Sequence, residues 1–147
     1  MERNILRNNV KSRYCILAIM LALAVYTFTG CKDYPVDEDG LLITGRYQCY
    51  VSNFELLGTD RQTVRTGNTP NPRVDTTACT IDIDVRFGTD LKNLYPQFSL
   101  VTDAKLKPKI TGLTDFSDLA NPRKYTVISG NRKVSKTYTV NVYVQQP

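Results

Sequence analysis

Asp82 and Asp84 stand at i and i+2 in the run Ile81-Asp82-Ile83-Asp84-Val85, which puts two carboxylates on one side of an extended strand. Such a pair can work as acid and base or hold a calcium ion. It can equally form the solvated face of an amphipathic strand, and Arg86 continues that charged row. Asp115 and Asp118 offer a second carboxylate pair, without the spacing of a calcium loop and better suited to capping turns. The sequence contains no histidine and no tryptophan. Ser-His-Asp and Cys-His catalysis are therefore excluded, as are zinc sites that need histidine. No catalytic residue, metal site or cofactor is assigned. Nine tyrosines supply flat aromatic faces that carry a hydroxyl, a surface suited to stacking on pyranose rings. Tyr50, Tyr95 and Tyr143 are the candidates for exposure. The competing role for each is the core or rim of the fold. Cys49 and Cys79 are either an oxidised pair or two separate buried thiols. A bridge would close a loop of about 30 residues, worth roughly 3.5 kcal/mol by chain entropy. There is no Cys-x-x-Cys redox motif.

The elements that must position these residues are strands. Ile81, Ile83, Val85 and Phe87 alternate with Asp82, Asp84 and Arg86. Tyr138, Val140, Val142 and Val144 alternate with Thr139, Asn141 and Tyr143, which sends Tyr143 to the opposite face. Phe98 and Leu100 form part of a third run, and Tyr125 to Ile128 a fourth. Tyr47 to Val51 continues into Asn53 to Leu56 with an irregularity between the halves. Pro108 confines Leu106 to Ile110 to a sheet edge. Gly130-Asn131 reads as a hairpin turn, and Asp90 as the cap of a short helical turn through Leu94. The polar stretch from Gly58 to Thr77 reads as a mobile loop. About seven short strands with one apolar face each predict an all-β, Ig-like β-sandwich over residues 41–147.

The preceding residues read as an address. Arg3, Arg7, Lys11 and Arg13 precede a 15-residue apolar run from Tyr14 to Phe28, the length of a signal-peptide core rather than a membrane span. Gly30-Cys31 then looks like a bacterial lipobox, in which cleavage precedes the cysteine and Cys31 carries the lipid. Residues 1–30 are accordingly expected to be a cleaved lipoprotein signal peptide. Residues 31–40, with Asp33, Asp37, Glu38 and Asp39, are expected to be a flexible acidic tether. The leader holds most of the +5 formal charge. The remaining residues carry 15 basic against 13 acidic side chains, which argues against a nucleic-acid partner.

From Ile81 to Val144 the chain resembles a module of Bacteroidetes outer-surface lipoproteins. The motif elements are Gly88-Thr89-Asp90-Leu91, Leu94-Tyr95-Pro96, Asp115-Phe116-Ser117, Tyr125-Thr126-Val127 and Tyr138-Thr139-Val140. The motif reads as structural, with Leu91, Leu94 and Phe116 docking into the sandwich and Asp115 and Ser117 holding a turn. The resemblance implies an Ig-like domain of the kind accompanying starch-utilisation-type glycan-capture lipoproteins. It further implies an outer-membrane, cell-surface location and polysaccharide or other surface lipoproteins as partners. No enzymatic activity is expected, since a hydrolase would need an all-carboxylate site on a compact sandwich whose sequence has no cleft signature. Two roles are open: a glycan-binding or accessory module, and a structural subunit that docks onto a larger surface complex. Cys-Lys-Asp after the cleavage point resembles the export signal of that group. Asp75-Thr76-Thr77 resembles its O-glycosylation acceptor, with Thr76 as the modified residue.

Overall fold

The computed structural model describes residues 34–67 and 70–147. The expected signal peptide and Cys31 lie outside the described residues. Seven strands follow in chain order: β1 (Val51–Leu57), β2 (Arg73–Asp75), β3 (Thr80–Val85), β4 (Tyr95–Leu100), β5 (Lys105–Lys107), β6 (Arg123–Ile128) and β7 (Ser135–Val144). They form two sheets, β1-β4 and β2-β3-β7-β6-β5, an all-β sandwich as the alternation predicts. Pairing is antiparallel except between β3 and β7, which run parallel from Thr80↔Thr139 to Val85↔Val144. The register of β1 on β4 slips between Val51 and Asn53, where the sequence suggests an irregularity. β5 is an edge strand and stops before Pro108, which has no N–H to give to a ladder.

The period of two builds the core. Ile81, Ile83 and Val85 of β3 point inward with Tyr138, Val140 and Val142 of β7 and Tyr125 and Val127 of β6. Val51, Phe54 and Leu56 of β1 cover them from the other sheet. Phe98 of β4 packs edge-on to Phe54 at 4.7 Å between ring centres and against Tyr125 at 4.8 Å, joining the two sheets. Leu94 and Phe116 are buried at the sandwich end. The Phe116 N–H donates to Leu91 O, and Asp115 Oδ1 accepts from Ser117 N–H. The Asp-Phe-Ser element is thus a plug and its turn.

Four local expectations are corrected. Phe87 does not extend the β3 row. The chain turns after Val85, with Gly88 at φ 79°, and leaves Phe87 exposed. Asp90 caps no helix; its carboxylate accepts from Lys92 N–H and from the Asn93 amide in a turn. Residues 58–67 and 70–77 are tied down rather than loose. Bridges pair Leu57 with Thr63 and Arg65 with Val85, and β2 adds to the sheet. Buried Asn71 substitutes for a neighbouring strand: its Nδ2 donates to Asp84 O at 2.9 Å and its Oδ1 accepts from Asp84 N–H at 3.1 Å. Finally, Gly130 lies outside the positive-φ region, which Arg132 occupies instead at φ 60°. Gly130 is required for space, since a Cβ there would stand 2.9 Å from Asp103 Cβ and 3.2 Å from Arg46 Cβ. Gly130→Ala should therefore cost about 1–3 kcal/mol through overpacking, read as a lower urea midpoint; an unchanged midpoint would refute the close packing.

From Pro35 onward, the acidic segment is docked. Val36 and Leu42 bridge in a small hairpin closed by Gly40 at φ 73°. The Asp37 side chain is 5% exposed, and its Oδ2 takes Lys105 Nζ at 2.8 Å and Arg132 Nε at 2.9 Å. Lys105 also reaches Asp39 at 2.6 Å and Glu38 at 3.3 Å. Arg132 donates further to the carbonyls of Leu42, Asp103 and Ser129. Downstream, Thr44 N–H donates to Gly130 O and Asn131 N–H to Arg46 O. The flexible tether expected over 31–40 therefore does not extend through Pro35–Gly40, because the acids there find two nearly buried cations.

Candidate functional site

The outer face of the five-stranded sheet collects the polar alternates of β2, β3 and β7. The parallel register sets Asp82 beside Asn141 and Asp84 beside Tyr143. Asn141 Nδ2 donates to Asp82 Oδ1 at 2.7 Å, and Tyr143 Oη lies 3.5 Å from the same oxygen. Arg73 Nη1 binds Asp84 Oδ2 at 2.7 Å, which raises the affinity of the guanidinium for its proton. Each carboxylate thus has its own partner, an amide for Asp82 and a cation for Asp84. They do not face one another as an acid-base pair across a gap. Tyr143 is 49% exposed and presents an aromatic surface next to this row. On the β2 side, the face continues into an open depression lined by Pro70, Pro72, Arg73, Thr76, Thr80 and Asp82. A carboxylate, an amide, a guanidinium and an aromatic ring on one flat surface are equipped to hold a polyhydroxylated ligand by hydrogen bonds and stacking.

The three candidate tyrosines are not brought together. Tyr95 and Tyr50 belong to opposite ends of the β1-β4 ladder, since Tyr95 pairs with Leu57 whereas Tyr50 precedes the Val51↔Leu100 pair. The ring of Tyr95 is already covered by the Arg61 guanidinium, 4.1 Å from its centre. Tyr143 is the one of the three that lies on the five-stranded sheet. Sequence reasoning placed Tyr143 outward but did not join it to Asn141, Asp82 and Arg73. The shared parity of Asn141 and Tyr143 on β7 was the available signal; the pairing of β3 with β7 was not.

The other candidates are placed as follows. Cys49 and Cys79 are free thiols. Buried Cys49 donates to Val127 O at 3.0 Å, whereas Cys79 is directed towards the Thr76 and Thr77 carbonyls. Burial pushes the Cys49 thiol above its ordinary pKa, which makes it a poor nucleophile. Thr76 is exposed in the β2–β3 turn, where its carbonyl accepts from Lys136 Nζ at 3.0 Å. Asp115 and Asp118 both cap turns, the latter through Asn121. Among the described residues no cluster of three potential metal ligands occurs.

Fold and face define a small two-sheet β-sandwich module that offers a flat, hydrogen-bonding sheet surface. The chain belongs to the family described as SGBP, N-terminal, whose model matches residues 62–142, more than half of the 147-residue sequence. That family is associated with glycan-binding surface systems. Among solved structures, a candidate glycoside hydrolase from Bacteroides thetaiotaomicron is similar at 27% identity and a TM-score of 0.53. The match covers 68% of this chain but only 26% of that one, so this chain corresponds to about a quarter of the larger protein. A protein from Bacteroides fragilis described as secreted is 14% identical at a TM-score of 0.47, over 67% of this chain and 97% of its own. A DUF4623 family protein from Bacteroides eggerthii is 18% identical at a TM-score of 0.47, over 68% and 22%. No curated protein matches the sequence.

Proposed function

We propose that this chain is a non-enzymatic surface module, lipid-anchored at Cys31 in the outer membrane, that holds polysaccharide on the outer face of its five-stranded sheet. The observation that carries the reading is Tyr143, half exposed beside the Asn141–Asp82 hydrogen bond on an open strand face. Membership of the SGBP N-terminal family supports the glycan class of ligand. The separate engagement of Asp82 and Asp84 supports binding over hydrolysis. Thr76 borders the same depression, so O-glycosylation there would set a sugar at the edge of the binding face.

A glycan-array screen of the folded chain tests this. Saturable binding should fall about tenfold in Tyr143→Ala, the loss of one stacking contact worth about 1.4 kcal/mol. Full retention of binding in that variant would place the ligand elsewhere. Absence of any binding would favour the second reading, a subunit that docks onto a larger surface complex. That reading has its own support, since the Bacteroides thetaiotaomicron match occupies 26% of a longer chain.

A further inference from the structure

The docked hairpin has two faces of opposite character. Asp37 is turned inward to Lys105 and Arg132, so its neighbour Val36 is turned away from the domain. Leu42, the cross-bridge partner of Val36, shares that outward side, and Leu41 sits at the tip. Val36 is 59% exposed, and Leu41 and Leu42 are each 46% exposed. Three neighbouring aliphatic side chains in water are an unusual use of a hairpin whose other side is so fully paired.

The position of this surface in the chain names its occupant. Val36 follows Cys31 by only five residue steps in the sequence. Fully extended, they span at most about 18 Å. The segment cannot lengthen that reach by unravelling while Asp37 stays clasped. A lipid on Cys31 therefore holds the hairpin close to the headgroup layer. The charge that opposes this approach is small, because Lys105 and Arg132 offset two of the three acids at 37–39. We propose that Val36, Leu41 and Leu42 seat the hairpin on the lipid bilayer, at the boundary between headgroups and acyl chains, so that it is a second membrane contact beside the anchor. The proposal rests on the reading of Cys31 as the lipidated residue.

The sequence contains no tryptophan, so Val36→Trp and Leu42→Trp each introduce a sole indole at an exposed position. Phe87→Trp is the control, at the sheet end where β3 and β7 finish and away from the β6–β7 turn that receives the hairpin. The full chain, lipidated during expression, is reconstituted in phosphatidylcholine vesicles with or without brominated acyl chains. Indole fluorescence of the Val36→Trp and Leu42→Trp variants should fall about twofold or more in brominated vesicles, and that of Phe87→Trp should not change. Protein that floats with the vesicles while the indole of Val36→Trp stays unquenched overturns the bilayer contact and leaves the anchor standing. A blue shift without bromine quenching overturns it as well, in favour of burial against a second copy. Protein that fails to float overturns the anchor reading and the bilayer contact with it.

Discussion

Tyr138→Ala should lower the unfolding free energy by about 3–5 kcal/mol, the cost of deleting a fully buried aromatic side chain. Tyr138 is 0% exposed in the middle of β7, and its hydroxyl accepts a long hydrogen bond of 3.4 Å from Val51 N–H on the opposite sheet. The side chain thus contributes both volume and a polar link between the layers. Tyr138→Phe separates the two, and should cost only about 1–2 kcal/mol for the bond. Urea unfolding checks both values, with the slope unchanged if the denatured state is unaffected. An alanine variant as stable as the phenylalanine one would show that the volume at this position is not part of the core. Desolvation also keeps the phenol above its ordinary pKa, so the hydroxyl remains a neutral partner at physiological pH.

The second large effect is electrostatic and depends on pH. The Lys105 ammonium, followed by the N–H groups of Leu41 and Asp39, holds the Asp37 carboxyl well below the usual carboxylate range, against the opposing effect of its desolvation. A depressed folded-state pKa contributes stability above the unfolded value of about 4, and that stability is lost as pH falls towards the folded value. Lys105 is shifted the opposite way, upward, first by Asp37 and then by Asp39. Its contribution is complete below the ordinary lysine pKa of about 10.4 and is lost as pH rises through the folded value. The melting temperature should therefore be flat between about pH 5 and 10 and fall on both sides. Asp37→Asn should lower that plateau and flatten the acid limb, so that wild type and variant draw together as pH falls below about 4 towards the folded-state value. Melts from acid to alkali read this directly, and parallel curves for the two proteins would refute it.

Much of the fold was legible because period-two alternation is local. The inward rows of β3, β6 and β7 follow from it, as does the outward direction of Tyr143. Pro108 marked the edge strand, and Asp115-Phe116-Ser117 carried its own turn chemistry. What stayed hidden involves partners distant in sequence. Nothing near Asn71 shows that its amide will pair with Asp84, so a pinned segment read as a loop. Nothing in the acidic run shows Lys105 and Arg132 waiting for it. Tyr95 reads as available in the sequence, and only the fold lays Arg61 across its ring. The candidate face was half visible for the same reason. Asn141 and Tyr143 share a strand, whereas Asp82 and Arg73 reach them only through the order of the sheet.

The parallel pairing of β3 with β7 also decides how the module carries tension. β7 leaves the turn that receives the hairpin and runs for ten residues to the opposite pole, about 33 Å away. A pull on the end of β7 that the rest of the sheet resists is directed along the strands. The six register pairs with β3 and the six with β6 then share the force in shear, instead of opening one after another like a zipper. The hairpin, held chiefly by ion pairs and a few hydrogen bonds, is the element that peels first. Under load the module would lengthen by releasing its N-terminal segment while the sheet stays whole.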